Sequence, residues 1–128
     1  MFYLGLDLGK LRDFTAFAVV ERTDEEASGR IVPFCGWSPA SDYQQQAARR
    51  GPPPLRVRYV ERVPLGTPYL RVVDRIAALT RHRLLNGASY LTVDATGAGL
   101  PVVESLRASE LGCRGITAVT ITGGERAS

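Results

Sequence analysis

Two apolar runs far apart in this 128-residue chain end the same way, in an aspartate followed closely by glycine. The first is Tyr3-Leu4-Gly5-Leu6-Asp7-Leu8-Gly9 and the second Tyr90-Leu91-Thr92-Val93-Asp94-Ala95-Thr96-Gly97-Ala98-Gly99. A carboxylate at the end of an apolar strand is costly unless something cationic sits beside it. Two of them point to a divalent metal or a metal-phosphate complex, provided that the fold brings the strand ends together. Each also suits a turn on its own, Asp7 by accepting the amide of Gly9 or Lys10, and Asp94 by opening a tight strand-to-helix turn.

Hydrophobic periodicity supplies the order of elements. From Phe2 to Leu8, the residues Phe2, Leu4, Leu6 and Leu8 alternate with Tyr3, Gly5 and Asp7, and apolar character on both faces predicts a central strand. The polar turn from Lys10 to Asp13 leads into a second strand over Thr15 to Arg22, and so short a link predicts an antiparallel hairpin. Leu55 to Val63 reads as a third strand exposed on one face, with Arg56, Arg58 and Arg62 on one side and Val57, Tyr59 and Val63 on the other. Between them, residues 23–54 form a long connection. It holds an acidic turn, a short edge strand over Ile31 to Trp37, and a Gln-, Arg- and Pro-rich part expected to be partly mobile or to contact a partner. Trp37 suits stacking on a base or covering the core edge.

Thr67-Pro68 reads as a helix start, with Thr67 as N-cap and Pro68 at the first helical position. Leu70, Val73, Ala77, Thr80 and Leu84 form an apolar stripe, and Asn86-Gly87 marks its end. Tyr90 to Ala95 is a buried strand, Pro101 to Leu111 a second helix closed by Gly112, and Ile116 to Ile121 a last strand. A three-strand meander followed by right-handed crossovers gives the order 3-2-1-4-5, with the second strand antiparallel. Asp7 and Asp94 then end neighbouring parallel strands, about 4.8 Å apart, and Gly5 and Gly9 leave the face of Asp7 open. Carboxylates with water select hard cations such as Mg²⁺ or Mn²⁺. A pair of ions about 3.5–4 Å apart would activate a water and stabilise the leaving oxygen of a phosphodiester.

The length fits a single domain, 1–128. No apolar run reaches the roughly 18 residues of a membrane span, and no basic segment precedes a signal-like core, so a cytoplasmic protein without a membrane partner is expected. Cys35 and Cys113 are too few and too far apart for a zinc cluster or a disulfide framework, and are expected to be reduced. A net charge of +3 is compatible with a polyanionic partner. Among the basic residues all but Lys10 are arginine, which grips phosphate in a bidentate fork, although GC-rich coding gives the same bias. Lys10 and Arg12, beside the first aspartate, and Arg71 and Arg75, on the first helix, are the candidate nucleic-acid contacts. The helix arginines and His82 suit a solvated face better than a nucleic-acid groove.

Four stretches together carry a resemblance: Gly5-Leu6-Asp7-Leu8-Gly9, Asp13-Phe14-Thr15-Ala16, Glu61-Arg62-Val63-Pro64-Leu65-Gly66-Thr67-Pro68-Tyr69, and Val93-Asp94-Ala95-Thr96-Gly97-Ala98-Gly99 followed by Val102-Val103. In order and spacing the chain resembles the C-terminal nuclease domain of phage terminase large subunits. The resemblance implies a ribonuclease H-like fold and an endonuclease that cuts concatemeric bacteriophage or prophage DNA with two divalent metals during packaging. Asp7 would be the first-strand ligand and Asp94 the fourth-strand ligand, with Asp13 contributing from the turn. Double-stranded DNA and other terminase components are the implied partners. The family pattern also contains a third acidic residue on or before a later helix, which does not appear before Ser128; Glu104 and Glu125 are not spaced to replace it. The expectation is therefore a domain lacking its C-terminal helix, with a two-metal site only where a third carboxylate is supplied.

No Gly-x-x-x-x-Gly-Lys-Ser/Thr loop for an ATPase motor occurs. The two glycine motifs also resemble the phosphate motifs of the actin, sugar-kinase and heat-shock ATPase superfamily. There the second motif normally turns into a β-hairpin gripping ATP, whereas Leu100 to Leu106 has helical spacing. A non-catalytic interaction domain on the same fold is the third reading.

Overall fold

Strict alternation along the first strand decides what lies at the centre of the molecule. In β1 (Phe2–Asp7), Leu4 and Leu6 are buried while Tyr3, Gly5 and Asp7 are exposed, because successive side chains of a strand point to opposite faces. The computed structural model describes residues 1–9, 12–23, 54–97 and 99–121. The expectations for Lys10, for 24–53 with Cys35 and Trp37, and for Glu125 lie outside them.

The remaining elements are β2 (Ala16–Arg22), β3 (Leu55–Arg62), α1 (Tyr69–Thr80), β4 (Ser89–Asp94), α2 (Gly99–Ala108) and β5 (Ile116–Val119). The strands form one mixed sheet in the order β3-β2-β1-β4-β5. β1 runs antiparallel to β2 and parallel to β4, and β5 adds parallel to β4. This is the expected ribonuclease H-like arrangement of five strands, with two helices packed on the sheet.

Both helices cover the same face. Val72, Val73 and Ile76 of α1 and Val102, Val103 and Leu106 of α2 pack with Leu4, Leu6, Phe17, Val19, Leu91 and Val93 in one core. Burying each such side chain contributes roughly 1.5–3 kcal/mol, so this layer holds the sheet. Thr80 and Ser89 are fully buried but satisfied: the Thr80 hydroxyl donates to Ala77 O and accepts from Gly112 N, and the Ser89 hydroxyl donates to Leu85 O.

Three local expectations are corrected. Thr67 does not cap α1; its hydroxyl donates back to Pro64 O at 2.6 Å, and Pro68 occupies the cap position. The helix stops at Thr80 rather than near Asn86, because the chain then turns through His82 to bury Leu85 against the core, and Gly87 takes a φ of +69°. The third correction concerns β3. Its pairing with β2 shifts between Val19 and Val20, which face Tyr59 and Val57 and leave Arg58 as an extra residue. A bulge of this kind reverses the phase of alternation beyond it. Arg58 and Tyr59 therefore lie on the helix-covered side, against Glu21 and Phe17, whereas Val60 and Arg62 turn to the open side. The expected common side for Arg56, Arg58 and Arg62 does not exist.

Among the described residues no helix is long and apolar enough to cross a membrane. Cys113 is a free, half-buried thiol whose pKa is raised, chiefly by burial.

Candidate metal centre

The parallel register of β1 and β4 pairs Tyr3 with Tyr90, Gly5 with Thr92 and Asp7 with Asp94. The two aspartates, 87 positions apart (94 − 7), thus occupy the last rung of the same ladder. Neighbouring Cα atoms on such a rung are about 4.8 Å apart. Both side chains belong to the open face, since Leu6 and Val93 beside them point into the core. Gly5, Ala16, Ala18 and Thr92 line a shallow depression together with Asp7 and Asp94, and a side chain added at Gly5 would meet nothing.

The two carboxylates are held differently. Asp94 begins an Asx turn: its Oδ1 accepts the Thr96 amide at 2.9 Å and the Thr96 hydroxyl at 2.6 Å. That hydroxyl is fixed in turn by accepting Ile121 N at 2.8 Å. The Thr96 hydroxyl first, and its amide second, lower the Asp94 pKa below the ordinary 3.8, because donors aimed at a carboxylate favour its charged form. Asp94 thus does open the strand-to-helix turn, and its second oxygen remains available. Gly97 follows with φ +88°, and α2 begins so close behind that a Cβ on Gly99 would stand 2.5 Å from that of Ala95.

Asp7 does not cap its own turn. The Gly9 amide donates instead to the Thr15 hydroxyl at 3.0 Å, and the Gly9 carbonyl accepts the Tyr69 hydroxyl at 2.7 Å. The strand end is thereby clamped from β2 and α1, while the Asp7 carboxylate has no hydrogen bond or ion pair to another described residue.

Of the other sequence candidates, Asp13 lines a separate polar cleft with Gly9, Thr15 and Tyr69. Among the described residues no group of three His, Cys, Asp or Glu side chains forms a metal cluster, so Asp13 does not join the pair. Glu104 sits exposed within α2. Arg12 is exposed in the turn after Gly9. Arg71 and Arg75 belong to the helical layer, on the other side of the sheet from the aspartates, and Arg75 is committed to Glu61 at 3.1 Å. His82 is exposed and accepts the Leu84 amide. Arg62, on the exposed side of β3 as the alternation predicts, stands on the rung of the aspartates: it pairs with Ala16, and Ala16 pairs with Asp7.

Two carboxylates on one rung, Asp7 exposed and Asp94 partly so, fit a single hydrated hard cation, which takes one or two carboxylates and completes its shell with water and phosphate oxygens. They do not by themselves fit a two-ion site. No model of a known protein family matches the chain, and no curated protein sequence matches it.

Proposed function

We propose that Asp7 and Asp94 hold one Mg²⁺ or Mn²⁺ ion, and that the domain hydrolyses DNA phosphodiesters in the manner of a phage terminase nuclease. The observation carrying this reading is the in-register pairing of the two aspartates at the end of adjacent parallel strands. Two unneutralised carboxylates this close repel one another, and a divalent cation removes that repulsion. When bound, the ion would act as a Lewis acid on a phosphate oxygen and lower the pKa of a coordinated water.

The chain's own groups supply orientation. Thr96 fixes Asp94 as a carboxylate with one oxygen turned away from the turn, and the Thr15-Gly9-Tyr69 clamp holds the strand end that carries Asp7 while leaving its carboxylate free to adjust. The small residues Gly5, Ala16 and Ala18 leave room for a polymer to approach. The helix that starts directly after the second glycine turn agrees with the nuclease pattern rather than with an ATP-gripping hairpin. Double-stranded DNA and other terminase components are the partners this reading assigns, with a further carboxylate needed before a second ion could bind.

The test is calorimetric titration of Mn²⁺ into the protein and into Asp7→Asn. Removing a site carboxylate should abolish measurable binding while leaving the thermal midpoint equal or higher, since repulsion is relieved. Equal Mn²⁺ affinity in the two proteins would reject the assignment.

A further inference from the structure

The bulge in β3 turns Arg58 to the helix-covered side and leaves Arg62 on the open face. Across the last rung of the sheet the order is Arg62, Ala16, Asp7, Asp94, which reads as guanidinium, methyl, carboxylate, carboxylate. At about 4.8 Å per strand, the Arg62 backbone stands about 10 Å from that of Asp7. The methyl of Ala16 leaves the path between them clear.

Arg62 is also held differently from its neighbours. Arg58 is paired with Glu21, and Arg75 with Glu61, so their charges are neutralised on the covered side. The Arg62 Cζ instead lies 4.3 Å from the centroid of the Phe14 ring, and among the described residues it has no carboxylate partner. An aromatic face steadies a cation without consuming its charge or its in-plane N–H donors. Such a guanidinium is ready for a phosphate, the anion its fork geometry matches.

We propose that Arg62, seated on Phe14, is a positioning residue that binds a backbone phosphate of DNA beside the Asp7–Asp94 pair. This rests on the reading of that pair as the cleavage site. Successive phosphates of a duplex strand are further apart than the axial rise of about 3.4 Å, so a span of about 10 Å makes the phosphate held a near neighbour of the one at the carboxylates. Arg62 then sets where the strand lies rather than stabilising the reacting group.

The experiment is binding of a labelled DNA duplex at several salt concentrations, in Ca²⁺, by the full chain and by Arg62→Ala, Arg62→Lys, Phe14→Leu and Arg71→Ala, with Mn²⁺ titrations alongside. Arg62→Ala should bind DNA about tenfold more weakly and lower the slope of log K against log salt by about 1. Arg62→Lys should restore the slope but only part of the affinity, and Phe14→Leu should lose about twofold to threefold. Arg71→Ala, on the opposite side, should bind as the parent does, and Mn²⁺ affinity should be unchanged in all four. Unchanged DNA affinity and slope in Arg62→Ala would overturn the proposal, and so would an equal loss in Arg71→Ala. Failure of the parent to bind Mn²⁺ would instead remove the cleavage reading, while the salt slope would still report the phosphate contact.

Discussion

The ends of β1 and β4 present the same residue on the same rung, yet they are stabilised in opposite ways. At β4 the turn organises the carboxylate: Thr96 donates twice to Asp94, and Ile121 fixes Thr96. At β1 the rest of the molecule organises the turn: Thr15 and Tyr69 hold the Gly9 peptide from two elements, and the carboxylate is left untouched. One aspartate is pre-oriented and the other is free to adjust. A hydrated cation bound through one or two carboxylates can use such a pair, the fixed donor locating it and the other adjusting to it.

The largest effect that would expose this difference is on folding. Gly9→Ala places a Cβ 2.1 Å from the backbone oxygen of Asp13, which cannot rotate away, and should destabilise the protein by about 3 kcal/mol, the upper range for overpacking. Gly97→Ala meets the strain of φ +88°, about 1–2 kcal/mol. Urea denaturation giving equal losses would erase the distinction between a clamped end and a self-contained one. Tyr69→Phe comes next: it removes the hydroxyl that donates to Gly9 O and should cost about 1 kcal/mol. A drop in Mn²⁺ affinity beyond that in Thr96→Val would show the clamp to matter more than the turn.

The smallest effect is a shift in pH dependence. The Asp94 pKa is depressed because Thr96 donates to the ionised form, so the associated stabilisation is present above pH 3.8, the ordinary value, and is lost as pH falls through the folded-state pKa. Thr96→Val keeps the amide donor and removes the hydroxyl. The acid limb of Mn²⁺ binding should therefore move to higher pH in the variant, and superimposable limbs would show that the hydroxyl does not tune this carboxylate.

Much of this was legible in the chain. Leu4, Leu6, Leu91 and Val93 alternate with small or polar partners over the length of their strands, so the two central strands and their facing aspartates follow from period and connection length. The bulge did not. Arg56, Val57, Arg58, Tyr59, Val60 and Glu61 carry no glycine or break in pattern to mark an extra residue, and the phase of β3 depends on how β2 pairs with it. Arg58 was consequently assigned to the same side as Arg62, although it lies with Glu21 on the helix-covered side. Thr67 had the composition of a cap, but Pro64 O lay within reach of its hydroxyl first. The self-contained Asp94 turn could be read locally, whereas the Gly9 clamp joins residues 60 positions apart and had no local signal.

The central position of β1 has a consequence during synthesis. Its β2 partner emerges almost at once, but the β4 edge must wait for Asp94, 87 residues after Asp7 (94 − 7). At about 5–20 residues per second that interval lasts roughly 4–17 s. Throughout it, one side of the nascent hairpin offers unpaired amides and carbonyls to any passing strand or chaperone.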